Sequence, residues 1–298
     1  MPGSFALLRD LYLDAFLGSL LAAFLCSMVG VLLYLRRNVF LGLALPQAAA
    51  AGISLDLVLL PWWFGAVGWG VVKSGDHLHP SFALHTVFAF WAVLLVLGVL
   101  TRMERSRRGS PESRTAAAYV VSLAATILLL QNTPFGRAFV DSMVRGEILS
   151  ISQADLLLLL VLTLFTFGTL HLFRGRILLV LFDREAATAS GIRPHVWEGL
   201  VLLLAGLAVA AGVVTVGPLV VFSYFALPPL AARGLSPSMR SFMILSVAFG
   251  LASTLGGWAF SLATDHPLGP SIAAAGFALL LITRALRPLA SRVVPPAP

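Results

Sequence analysis

The chain has 298 residues, of which 59% are apolar and only 11% charged, and its mean hydropathy is +0.95. Soluble domains run near ~45–50% apolar and ~25% charged, so a water-soluble globule is excluded: there are too few charges to cover its surface. Basic residues outnumber acidic ones 20 to 13, a net charge of +7. They lie between apolar runs, not in one stripe, and therefore read as membrane-topology signals and not as a nucleic-acid surface.

The apolar runs are continuous, and about 20 such residues cross a bilayer as a helix. Their lack of alternation excludes an outer-membrane barrel. The opening segment, MPGSFALLRDLYLDAFLG, mixes Arg9 with Asp10 and Asp14 and lacks a small-residue cleavage site, so no signal peptide is expected. Nine spans are predicted, at roughly 14–35, 43–61, 82–100, 116–131, 155–173, 198–216, 217–233, 241–264 and 270–288. The sixth and seventh abut at Gly217-Pro218 and are either two helices or one broken element, which makes the count eight or nine. Cys26 lies inside the first span. As a single cysteine it excludes an intrachain disulfide and any multi-cysteine metal site.

Small residues crowd the second span (LALPQAAAAGI) and the last (GPSIAAAGFAL). In lipid they let helix backbones approach closely, within one chain or at a dimer seam. Two connections are long: residues 132–154 and residues 174–197. Within the latter, FDREAATASGI (182–192) predicts a two-turn helix. Asp183 and Glu185 suit its N-terminus, where the helix dipole favours negative charge, and Gly191 suits the residue just past its end. No phosphate-binding loop of the G-x-x-x-x-G-K-[ST] type occurs, so ATP hydrolysis would fall to another subunit. Neither a zinc-protease motif nor a nucleophile constellation is present, and no enzymatic activity is expected of the chain.

Along residues 14–288 the chain resembles ABC-importer permeases, particularly the bacterial zinc/manganese/iron family and its iron-siderophore and vitamin B12 relatives. The resemblance is carried by RRNVFLGLALPQAAAAG (36–52), GEILSISQADLLLLL (146–160), VGPLVVFSYFALPPLAARGLS (216–236), DHPLGPSIAAAGFAL (265–279) and the short helix 182–192. It implies one all-α polytopic permease domain over residues 1–298, of the type II ABC-importer kind, in the bacterial inner membrane. It also implies ATP-driven import of divalent metal ions. The expected partners are an ABC ATPase docked on the 182–192 coupling helix through Asp183, Glu185 and Gly191, an extracytoplasmic binding protein, and a second permease, identical or related. Membrane lipid surrounds the chain. No cofactor is expected on it, the metal being cargo. The readings from other classes are a secondary transporter acting alone, and a non-transporting scaffold derived from the permease fold.

The family's second span usually carries an Asp and, one helical turn later, a His, a pair suited to Zn²⁺ or Mn²⁺. The matching positions here hold Leu43, which cannot bind a metal, and Gln47, which offers only a neutral carbonyl oxygen. The remaining candidate ligands are Asp56 in the same span and Asp76, His77 and His79 in the loop SGDHLHPSF. A carboxylate at membrane depth is costly and invites a pathway role, the alternative being a solvated helix end. His85 and His171 lie near span ends and read as interfacial side chains; Asp265-His266 reads as a polar loop.

Loops alternate in charge. One set holds 16 of the Lys and Arg residues and the other 4, which predicts an external N-terminus and a cytoplasmic C-terminus. With Cys26 replaced by Ser, a cysteine introduced by Asp76→Cys is expected to react with an impermeant thiol reagent added outside, and one introduced by Arg107→Cys is not. Labelling of position 107 alone inverts the topology.

Overall fold

The structure, a computed structural model, describes residues 2–36, 40–66, 71–74, 77–80, 82–105, 110–131 and 153–290. Lipid offers no partner for backbone N–H and C=O groups, so a spanning chain satisfies them within helices. The described elements follow suit: α1 (Pro2–Leu35), α2 (Leu41–Ala66), α3 (Phe82–Arg105), α4 (Pro111–Leu130), α5 (Gln153–Phe182), the short α6 (Arg184–Ala189), α7 (Pro194–Arg233), α8 (Met239–Thr264) and α9 (Leu268–Ala290). All but α6 are long and apolar enough to cross a membrane.

Helix ends follow local chemistry. Ser110 caps α4 by accepting from the Ser113 N–H at 3.2 Å, with Pro111 at the first helical position. Ser238 caps α8 in the same way through the Ser241 N–H. Two features depart from the sequence expectation. The segment 174–197 is helical over most of its length, because α5 continues to Phe182 through RILLVLF. At 30 residues that helix is about 45 Å long and outreaches the bilayer core. The loop between α2 and α3 contains an antiparallel hairpin, β1 (Val71–Ser74) and β2 (His77–Pro80), that pairs Ser74 with His77 and Val72 with His79. The connection 132–152, with the GEILSIS stretch, lies outside the described residues.

Three helices form the interior. The membrane windows of α1, α2 and α7 are 72%, 67% and 67% buried, against 22% for each of α3, α4 and α5. The outer helices turn large apolar side chains outward, among them Trp91, Leu95, Val121 and Leu172, as a lipid-facing surface requires. The alanines of the second span pack inside this chain: Ala44, Ala48, Ala49 and Ala50 are buried. A side chain at Gly52 would strike the Phe88 carbonyl oxygen and Ala92 of α3, and one at Gly30 would strike the Phe225 backbone.

The 40 residues of α7 are not one rod. Gly217 has φ 81° and ψ 163°, a region essentially closed to residues with a Cβ. In a continuous helix, residues nine apart lie about 13 Å apart along the axis. Here Val221 Cγ2 comes within 2.9 Å of where a Cβ on Gly212 would sit. Beyond the break the chain runs along the second half of α1, placing Phe225 on Gly30 and Arg233 beside Tyr34. Residues 194–216 and 218–233 are thus two helical segments that meet at Gly217, the break the sequence places at Gly217-Pro218, and among the described residues eight helices are long and apolar enough to cross a membrane, α7 counting once.

Gly217→Ala is expected to destabilise the protein by about 1–3 kcal/mol, read as a lowered unfolding temperature in detergent. Gly98→Ala is the control: Gly98 lies in α3 with no neighbour within 4 Å of where its Cβ would sit, and alanine there is neutral or stabilising.

Candidate functional site

The positions matching the family's ligand pair fall on a distinctive face. Between Leu41 and Ala50 every α2 residue is buried except Leu43 and Gln47. Ala51, one turn on, is also half-buried, and Leu55 is 41% exposed. Leu43, Gln47, Ala51 and Leu55 recur at four-residue intervals, one stripe of a helix. This is the only face that α2 turns away from its own chain over these residues. Its chemistry is apolar apart from a single amide, so the face provides a surface but no chelate.

Asp56 lies off this stripe and is not a solvated helix end. It is fully buried between α2 and α3, where His85 Nδ1 stands 2.6 Å from its Oδ2. His85 is therefore no free interfacial side chain, although 18% of it remains exposed. The contact is close but not a directed hydrogen bond, and among the described residues no other hydrogen-bond donor serves either carboxylate oxygen. Two ligands of one zinc ion, each about 2.0–2.2 Å from it, stand about 3 Å or more apart. At 2.6 Å the pair is closed on itself, and a metal would have to open it. Removing one member of such a buried pair is costly because the other charge is left uncompensated.

The other expected ligands do not gather. Asp76 lies outside the described residues; His77 and His79 are placed by backbone alone, in β2. Among the described residues no three His, Cys, Asp or Glu side chains converge on a point. His171 stacks on Phe167 with ring centroids 5.9 Å apart. Asp265 takes the left-handed conformation that ends α8 (φ 55°), and His266 Nδ1 lies 2.8 Å from the Thr264 carbonyl oxygen: this turn finishes a helix.

The short helix forms where the sequence places it, trimmed to Arg184–Ala189. Asp183 is its N-cap, its Oδ1 accepting from the Ala186 N–H at 2.9 Å, and Glu185 sits in the first turn. At the other end the Ile192 N–H reaches the Ala187 carbonyl and Gly191 adopts φ 78°, the left-handed stop that glycine makes without strain. Ala187 alone is fully buried, while Asp183, Arg184, Glu185, Thr188 and Ala189 face outward. One ion pair ties the helix to α7, and α5 and α7 are joined to each other beside it. Arg184 Nε lies 3.6 Å from Glu198 Oε1 of α7. Trp197 packs on Phe173 of α5 at 5.2 Å and under the Arg176 guanidinium at 5.4 Å. Phe182, the last residue of α5, is 65% exposed.

The chain is similar to known proteins in sequence and in fold. A probable metal transport system membrane protein of Treponema pallidum is 28% identical over 273 residues, covering 92% of this chain and 94% of its own. The manganese transport system membrane protein MntC of Halalkalibacterium halodurans is 24% identical, covering 87% and 81%. The zinc transport system membrane protein TroC of Treponema pallidum is 26% identical, covering 81% and 76%. In fold, the chain matches one from PsaBC of Streptococcus pneumoniae in complex with Fab, with a TM-score of 0.76 at 18% identity over 93% of this chain and 94% of that one. It also matches an inward-facing putative metal-chelate type ABC transporter, with a TM-score of 0.68 at 19% identity over 96% and 90%. The model of the ABC 3 transport family matches residues 9–287, and this multi-pass membrane protein belongs to that family.

Proposed function

We propose that the chain is the membrane-spanning permease subunit of an ATP-driven importer of divalent metal ions, zinc or manganese, and that α6 is the contact for a separate ATPase. The observation that carries this reading is the build of α6: capped at both ends, outward-facing, following directly on α5 and ion-paired to α7. A helix so fixed transmits a push into the spans, whereas a loose loop would absorb it. The relatives' names supply the cargo class. A second permease, an external binding protein and an N-out, C-in orientation complete the assembly, the last resting on the loop charges.

The accessible α2 stripe is the cargo face in this proposal. Its lack of carboxylate and imidazole suits a passageway that must release its cargo, with tight capture left to the binding protein. A secondary transporter acting alone would need ionisable groups on its pathway. Asp56 is the only fully buried carboxylate among the described residues, and it is engaged with His85 away from the stripe. Asp56 acts first as a lock between α2 and α3, and as an ion ligand only if that lock opens.

Asp183→Lys with Glu185→Lys is expected to abolish ATPase co-purification while leaving the monodispersity and unfolding temperature of the membrane part unchanged. Undiminished co-purification with normal transport sinks the α6 assignment.

Two double variants separate the cargo face from the lock. Leu43→Asp with Gln47→His is expected to create measurable Zn²⁺ or Mn²⁺ binding in the membrane domain. His85→Leu alone is expected to lose about 3–5 kcal/mol of stability, most of it regained when Asp56→Leu is added, with metal uptake preserved in the double variant. No metal binding by the first pair, together with abolished uptake in a stable second pair, would return the ligand role to Asp56.

A further inference from the structure

A cavity of about 280 Å³ opens at the end of the bundle where α1, α7 and α9 finish, lined by Tyr34, Leu230, Arg233, Gly234 and Arg284. Tyr34 lies in the last turn of α1, and its ring is held edge-on against Phe242 of α8 with centroids 5.7 Å apart. Arg233 is the last residue of α7, and Arg284 lies toward the end of α9; both are exposed. Two guanidiniums and a phenol thus meet at one hollow.

No acidic residue on the packed helices neutralises them. Neither α8 nor α9 contains an Asp or Glu, and the sole acidic residue of α7, Glu198, lies in its first turns, next to Arg184. The acidic residues of α1, Asp10 and Asp14, precede Tyr34 by 20 residues or more. The positive charge at this hollow therefore calls for an anion from outside the chain. A guanidinium offers a fork of donors that matches phosphate oxygens.

The surroundings decide which anion. On α9, Phe277, Leu281 and Arg284 follow one another at spacings of four and three, one face of a helix. Phe277 and Leu281 are 53% and 54% exposed, and Ile282 and Leu286 beside them are 52% and 48% exposed. An apolar, outward-facing strip thus runs up to the arginine at the hollow, as an acyl chain below a headgroup requires. Basic hollows between membrane helices bind lipid headgroups in this way. We propose that the Tyr34–Arg233–Arg284 hollow binds the phosphate of an anionic membrane lipid, whose acyl chains lie along α9. This site is independent of the cargo and of the α6 contact.

The test uses the full chain, purified with native lipids and then exchanged into nanodiscs of phosphatidylglycerol, cardiolipin or phosphatidylcholine. Lipids retained are read by native mass spectrometry, and stability by the unfolding temperature. Phosphatidylglycerol or cardiolipin is expected to be retained and stabilising, and phosphatidylcholine is not. Arg233→Gln and Arg284→Gln, each removing a charge-assisted contact, are each expected to weaken retention about tenfold. Arg240→Gln, an exposed arginine outside the hollow, is the control for general surface charge. Equal retention of anionic and zwitterionic lipid overturns the proposal, as does an equal effect of Arg240→Gln. Stabilisation by inorganic phosphate without preference for anionic lipid also overturns it and assigns a soluble phosphate compound. Loss of ATPase co-purification with unchanged lipid retention overturns it in favour of a protein contact.

Discussion

The break at Gly217 is the constraint on which the rest of the bundle depends. Irregular backbone survives at membrane depth only where protein surrounds it, because lipid cannot satisfy the freed N–H and C=O groups. The residues around the break are accordingly buried, with Val216, Val220 and Val221 almost fully enclosed. To enclose them, α1 and α2 must come close, and they do so at glycines: Gly30 against the Phe225 backbone and Gly42 against the Phe225 side chain. The small-residue composition of the inner helices is therefore a consequence of wrapping a broken helix. The bulky residues are left to the outer helices, which face only lipid.

Polar contacts divide the bundle in two. Most buried hydroxyls within the spans bond back to their own helix, as Ser54 does to the Ala50 carbonyl and Thr215 to that of Ala211, and so add little to packing between helices. Three of the bonds that cross helices involve α8. Its Thr254 meets the Tyr224 hydroxyl of α7 at 2.6 Å, its Trp258 donates to Ser19 of α1 at 3.0 Å, and its Ser246 donates to the Ser27 carbonyl at 3.2 Å. Interhelical hydrogen bonds are worth roughly 0.6 to 2 kcal/mol each in membranes, enough together to fix α1, α7 and α8 as one block. The α2–α3 contact has a different fastening, the Asp56–His85 pair, backed by the close approach of Gly52 to Phe88.

Much of this is readable from residue order. Hydropathy marks the spans, Gly217-Pro218 marks the break, and Asp183 with Gly191 brackets the short helix, because each signal is local. The α2 stripe follows from the four-residue spacing of Leu43 and Gln47. What escapes has a physical reason in each case. Asp56 and His85 are 29 positions apart on separate helices, and no periodicity links them; only the packing of α2 on α3 does. The end of α5 is hidden because Arg174 and Arg176 look like a membrane boundary, while the helix continues through them to Phe182. The Tyr34–Arg233–Arg284 hollow joins three helix ends that the sequence treats as unrelated loop charges.

The order of elements along the chain gives the fold its mechanical sense. The first segment of α7 begins at Pro194, carries in its first turns Glu198, which pairs with Arg184 of the short helix, and ends at Gly217. At 1.5 Å per residue it is about 34 Å of continuous helix, stiff enough to carry a displacement at one end to the other. The stop at its far end is the one residue of α7 whose backbone lies outside the helical range. Past it, the second segment lies between Gly30 and Gly42, and so touches α2 close to Leu43. Coupling between distant sites requires a connected element with two available arrangements. The chain places a lever, a break and the accessible α2 face in that order. If α6 is the ATPase contact proposed above, a push on it meets this segment first and the break at Gly217 next, before the second segment and the α2 face.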